Sequence, residues 1–220
     1  MGKKKLMDLN QLISSKDFEG IKKALLSNPA LANGGLPYNR ENTQMAHPLH
    51  RLCDRVHANH LGEEEALAIA GLLLDNGSNV NGGEIQEYRD TPLIAAASLG
   101  TDRLGILFIE QGADIHHAGC HGGTALHWAS WCGRPILVQR LVQEGAEVNK
   151  LCLDFRSTPL FWAIHGYRSN SRINPDAYLE CTRLLLRAGS DKSIPNIDGL
   201  TILNLLESGD ELFRKALEEK

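Results

Sequence analysis

Two stretches of this chain gather residue types that hold metals or act as nucleophiles. His47, His50, Cys53, His57 and His60 fall within fourteen residues, and His116, His117, Cys120 and His121 within six. Imidazole and thiolate are good zinc ligands, so each cluster is a candidate metal site to be weighed. Other chemistry has no signature here. There is no glycine-rich phosphate loop, no GxSxG nucleophile elbow and no HExxH pair. Asp and Glu are plentiful but scattered, as on solvated faces.

Whatever these residues do, the elements around them decide it. The clearest element runs from Gly123 to Asn149, GTALHWASWCGRPILVQRLVQEGAEVN. Thr124 is placed to cap a helix, since its hydroxyl can accept an orphan N–H of the first turn. Leu126 and Ala129 share one helical face. Gly133 suits a left-handed stop, and Pro135 suits the first turn of a second helix. Ile136, Leu137, Leu141 and Val142 form that helix's apolar stripe, and Gly145 ends it. A unit this small cannot bury its apolar faces alone.

The same unit recurs. DTPLIAAASLG has its threonine at 91, GTALHWASWCG at 124, STPLFWAIHG at 158 and GLTILNLL at 201, while AHPLHRLCD puts His47 in that slot. The spacings are 44, 33, 34 and 43 residues in chain order. All but the last unit then close alike: LLLDNGSNVN, FIEQGADIH, LVQEGAEVN and LLLRAGSDK. These residues resemble the ankyrin repeat, with its 33-residue period and T-P-L-H-x-A signature. Ala125 and Ile202 depart at the proline, and Ile94, Phe161 and Asn204 at the histidine.

The resemblance implies an all-α solenoid of helix-turn-helix units with β-hairpin or loop fingers. It implies about six repeats in one domain, 1–220: an N-terminal cap at 6–36, then 45–81, 90–116, 123–149 and 157–191, and a C-terminal cap at 199–220. Leu9, Leu12 and Ile13 mark the first helix of the first cap, and Phe18, Ile21, Leu25 and Leu26 the second. Lys3, Lys4, Lys5, Lys16, Lys22 and Lys23 can keep its outer side in water. Repeats two and five carry about ten extra residues each, RVHANHLGEEE and GYRSNSRINPD, read as long turns between helices. Such turns are either tolerated decoration, at little entropic cost, or a second recognition edge.

The family's pattern also reweighs the histidine clusters. His50 is then the repeat's own structural histidine, His47 replaces the capping threonine, and Cys53 takes a slot usually held by buried alanine. His116 takes the slot of a usual asparagine, leaving Cys120 and His121 at an exposed tip. Metal binding is the weaker reading of both, and no cofactor is expected.

Composition bounds the function class. A net charge of −4 gives no electrostatic reason to expect nucleic acid. Five cysteines without paired spacing suit reduced thiols. No apolar run reaches membrane-spanning length, and Asp8, Asn10 and Gln11 interrupt any signal-peptide core after MGKKK. The expectation is a monomeric, cytoplasmic, non-enzymatic scaffold that binds a protein or peptide. Secretion without a cleavable signal stays open. The alternative roles are a bacterial effector or antitoxin-like inhibitor with a dedicated partner, and, less favoured, a metal-binding or enzymatic protein.

The resemblance also implies where a partner would lie: on the concave face lined by each repeat's first helix, and on the adjoining fingers. Counting from the threonine, the eighth residue faces that side: Asp54, Ser98, Trp131, His165 and Ser208. The fifth is partly exposed there: Arg51, Ala95, Trp128, Trp162 and Leu205. Trp128 and Trp162 occupy a usual leucine slot and can pack on one another as core. Trp131 replaces a residue that is commonly polar, and tryptophan is a favoured hot-spot residue, so it points to binding. The finger KLCLDFR presents Leu151, Leu153 and Phe155, and GGEIQEYRD presents Ile85 and Tyr88. Apolar patches of this kind mark interfaces, unless the tips fold onto one another. Leu99, Cys120 and His121 complete the candidate surface.

Overall fold

A computed structural model describes residues 8–37, 45–82, 89–169 and 174–218. Ile85 and Tyr88 lie outside the described residues, as do Leu6 and Lys3 to Lys5. The described chain forms helix pairs in two rows. The first-helix row is α1 (Leu9–Ser14), α3 (Pro48–His57), α5 (Pro92–Leu99), α7 (Ala125–Trp131), α9 (Pro159–Ser169) and α11 (Ile202–Leu205). The second-helix row is α2 (Phe18–Ser27), α4 (Glu63–Asp75), α6 (Asp102–Glu110), α8 (Pro135–Gln143), α10 (Pro175–Arg187) and α12 (Glu211–Glu218). From α3 onward each first helix packs on the next in its row, and every second helix does likewise. Strands β1 (Leu36–Pro37) and β2 (Met45–Ala46) pair antiparallel at one finger, with Leu36 opposite Ala46. This is the all-α solenoid, with a continuous seam of buried side chains between the rows.

Local sequence explains the punctuation. Asp8 and Asp17 cap α1 and α2 with side-chain bonds from Gln11 and Gly20. Thr91 accepts from Ile94 N and Thr158 from Phe161 N. Proline occupies the first turn of α3, α5, α8 and α10, where its missing N–H costs nothing. Adjacent fingers are tied by side-chain oxygens: Asn33 accepts from Asn79 N, Asn81 from Asp114 N and Asn149 from Asp191 N, at 2.7–2.8 Å. At the last repeat, buried Asp210 accepts from Tyr167 Oη and Arg168 Nη1, both at 3.1 Å, and so docks the C-terminal cap on α9.

Three expectations need correction. The extra residues of repeats two and five mainly lengthen helices: α4 and α10 have 13 residues against nine in α6 and α8. The turn after α3 is only 58–62. The EEE run starting α4 suits the positive end of the helix dipole. Leu26 and Ile136 are 67% and 61% exposed, so each stripe is one residue narrower than the apolar pattern suggested. Finally, α11 is one turn long and Ser208 lies in the turn before α12, not on a helix face. Among the described residues, no helix is long and apolar enough to cross a membrane.

Candidate functional site

Helices α7 and α9 approach closely because of one residue. Gly166 lies on α9 against the carbonyl of Trp131, the last residue of α7, and a Cβ there would collide with that oxygen. The Trp131 carbonyl is one of the acceptors a helix end leaves without an intrahelical donor. The hydroxyl of buried Tyr178, on α10, donates to it at 3.1 Å. Gly133 follows with φ of +61°, a left-handed turn, and packs on the Tyr178 ring. The backbone carrying Trp131 is therefore fixed from two sides.

This approach brings the aromatic side chains into one wall. Trp128 and Trp162 meet edge to face with centroids 5.2 Å apart, and Trp131 meets Trp162 at 6.0 Å and His165 at 5.1 Å. Phe155 reaches Trp162 at 6.4 Å and His121 at 5.7 Å. Trp162 is only 5% exposed and forms the floor, while Trp128 and Trp131 are half-buried. The indole N–H of Trp128 is buried without a hydrogen-bond partner, so packing rather than a polar anchor holds this ring.

The rings border a groove of about 550 Å³ between α7, α9 and three fingers. It gathers His121, Trp128, Trp131, Phe155, Trp162 and His165 from the sequence-derived surface. Four more residues line it. Phe161, in the repeat's histidine slot, contacts His165 at 6.2 Å. Ser157 precedes the cap of α9. Asn196 and Asp198 come from the finger of the last repeat, docked by Ile197 N donating to Phe155 O at 2.9 Å. The NIDG turn is readable in the sequence, but its stacking over Phe155 is not.

The remaining sequence-derived residues lie elsewhere. Leu151 and Leu153 are exposed, on either side of buried Cys152, and do not line the groove. Cys120 is exposed but is not in the lining, although its neighbour His121 is. Leu99 lies toward the other end of the row, in a smaller depression with Arg51, Asp54, Arg55, His57 and His60. Its carbonyl bonds His57 Nδ1 at 3.0 Å.

Burial and hydrogen bonding set the state of the titratable groups. His127 is buried, with Nδ1 accepting from Thr124 N at 3.1 Å and Nε2 sharing its proton between the carbonyls of Lys150 and Ser157, both at 3.2 Å. Burial lowers its pKa to about 4. Burial also lowers the pKa of His47 to about 4, helped by nearby His50, and it lowers that of His165. His121 pairs with Asp154 at 2.7 Å. Burial pushes the Cys53 and Cys132 thiols up to about 12 and about 11, so both are poor nucleophiles at neutral pH. Among the described residues, no three His, Cys, Asp or Glu side chains form a group that could hold a metal ion.

A two-row helix stack with interlocked fingers and a lined groove is the architecture of a repeat-built binding module. The family model described as ankyrin repeats, in three copies, matches residues 39–152, just over half of the chain, and the chain belongs to the ankyrin-repeat family. Ankyrin repeats are protein-interaction modules. The chain is 27% identical over 121 residues to a human protein named palmitoyltransferase ZDHHC13, covering 55% of this chain and 18% of that protein. It is 31% identical over 97 residues to the zebrafish (Danio rerio) putative palmitoyltransferase ZDHHC13, covering 44% and 14%. It is 30% identical over 115 residues to mouse (Mus musculus) palmitoyltransferase ZDHHC17, covering 52% and 16%. The matches thus span less than a fifth of these relatives' length.

Proposed function

We propose that this chain is a non-enzymatic scaffold that binds a protein or peptide through the first-helix face and fingers of its fourth and fifth repeats. The observation that carries the reading is the convergence of His121, Trp128, Trp131, Phe155, Trp162 and His165 on one groove. Half-buried tryptophans at such a site supply apolar area at low conformational cost. In this reading the repeats act as one domain and a monomer, in the cytoplasm, and the partner is a protein or peptide with no cofactor or nucleic acid. The likeness to palmitoyltransferases is then a likeness of binding repeats and not of transfer chemistry.

The test is selection of peptides from a displayed random library on the full chain. Trp131→Glu and Phe155→Glu each place a charge in the groove. Each should weaken the selected peptides by about thirtyfold or more, the scale of a hot-spot loss. The melting temperature should move by no more than about 2 °C, because both side chains are partly exposed. Peptides that bind both variants as well as the parent would place the partner elsewhere.

A further inference from the structure

The groove's lining narrows the chemistry of what enters it. Its walls are rings set across one another, at 82° for Trp128 on Trp162 and 72° for Trp131 on Trp162. Rings so placed enclose a corner instead of forming a stack. Aromatic faces carry negative potential, and a cation within about 6 Å of a ring centroid is attracted by it. Among the described residues no lysine or arginine lines the groove, and Asp198 contributes a carboxylate. Desolvation lowers the His165 pKa from its ordinary value, which disfavours an opposing charge on that ring. His121 is turned to the Asp154 carboxylate.

The hydrogen-bonding capacity of the lining discriminates among cations. A primary ammonium brings three donors that need acceptors. Asn196 Oδ1 already accepts from Asp198 N and Leu200 N, at 3.0 and 2.9 Å. The Ser157 hydroxyl donates to the Phe155 carbonyl at 3.1 Å. The Asp198 carboxylate, at the rim and not among the rings, is the main acceptor left for an ammonium, short of the three its donors need. A cation with methyl groups in place of donors makes no such demand and presents apolar surface to the rings. A neutral apolar group would satisfy the rings but would gain nothing from the Asp198 carboxylate.

We propose that the groove receives a partner side chain ending in a methylated ammonium, as in methylated lysine, seated among Trp128, Trp131, Trp162 and Phe155 with Asp198 at the rim. This rests on the groove being the partner site. All three tryptophans of the chain line it, so their fluorescence reports on it directly. The full chain is titrated with choline and with 3,3-dimethyl-1-butanol, its uncharged isostere. Choline should give a saturable change with an apparent affinity about tenfold tighter than the alcohol. Trp131→Ala should abolish the response. Phe155→Ala and Asp198→Asn, both at exposed finger positions, should each weaken it severalfold. Equal or tighter binding of the alcohol, no response to choline, or a choline response that survives Trp131→Ala would each overturn the proposal. Competition against the library-selected peptides separates the two levels of inference. Trp131-dependent peptides that choline cannot displace remove only the cation. Selected peptides that do not depend on Trp131 remove the partner site and this proposal with it.

Discussion

The first-helix row carries the same two facing positions in every complete repeat, and the two halves of the row fill them in opposite ways. In repeat two they hold Arg51 and Asp54, which pair at 2.6 Å, while Arg51 Nε also donates to the Pro37 carbonyl at 3.1 Å. In repeat three they hold Ala95, almost fully buried, and Ser98, whose hydroxyl turns back to the Ala95 carbonyl at 3.2 Å. In repeats four and five they hold Trp128 with Trp131 and Trp162 with His165. At these positions repeats two and three meet their polar demands internally. Repeats four and five instead set ring surface along the groove. One scaffold thus supplies a self-satisfied face beside an aromatic one, and the difference lies in side chains and not in the backbone plan.

The largest expected effect on this comparison comes from acid. Both halves contain an imidazole whose pKa is lowered to about 4, His47 at the start of α3 and His127 in α7. Their folded pKa values lie below the unfolded value near 6.5. The unfolded chain therefore takes up protons first, and the stability these groups contribute is full above pH 6.5. It falls between pH 6.5 and about 4 and levels off below that. For fully buried His127 the loss is about 3 kcal/mol across the window. Protonating Nδ1 would set an N–H against the backbone N–H of Thr124, which now points at it. Urea unfolding at pH 7, 5.5 and 4 should show the decline, and His127→Asn should flatten it by about half. A wild-type stability unchanged from pH 7 to 4 would contradict the burial described for both rings.

Gly166→Ala comes next. Alanine in a helix interior gains about 1 kcal/mol over glycine from backbone entropy. Here the new Cβ meets the Trp131 carbonyl, a main-chain atom that cannot swing away. Overpacking of this kind costs about 1–3 kcal/mol, so a net destabilisation of up to about 2 kcal/mol is expected from equilibrium denaturation. The sharper readout is local. Moving α9 away from α7 should lower binding of groove-selected peptides and leave hydrogen-exchange protection in α3 and α5 unchanged. A more stable Gly166→Ala protein would mean that close helix approach is not what assembles the rings.

The architecture was legible because its opening is written five times over and its close four times. A threonine or histidine cap, an apolar run and a glycine stop recur with enough fidelity that one irregular copy does not obscure the others. The tryptophan cluster was legible for the same reason, since counting from each cap places Trp128, Trp131, Trp162 and His165 on one side. Contacts between repeats were less so. Spacing within a repeat does not say that the Asn196–Asp198 turn stacks on Phe155, nor that Leu151 and Leu153 stay out of the groove while Phe155 enters it. The long segments of repeats two and five were misread because cap and stop fix only the ends. The helix-favouring composition of EEEALAIAGLLLD shows where those residues went.

The smallest expected effects come from two matched substitutions. Cys132 follows Trp131 in sequence, and its thiol reaches the Ser98 carbonyl at 3.3 Å, tying repeat four to repeat three. Tyr178 ties repeat five to repeat four by its bond to the Trp131 carbonyl. Both join a repeat to the eighth position of the one before it. A thiol is a weak donor, so Cys132→Ala should cost well under 1 kcal/mol for this bond. Tyr178→Phe keeps the ring but leaves a helix-end carbonyl without its donor, at a cost of about 1 kcal/mol. The two variants should also differ in binding. Tyr178→Phe loosens the backbone that carries Trp131 and should weaken groove-selected peptides about two- to fivefold, a fraction of the energy of that bond. Cys132→Ala acts on the small-residue side and should leave them unchanged. Equal effects of the two on stability and binding would mean that the aromatic half has no tighter support than its neighbour. Its distinction would then rest on ring surface alone.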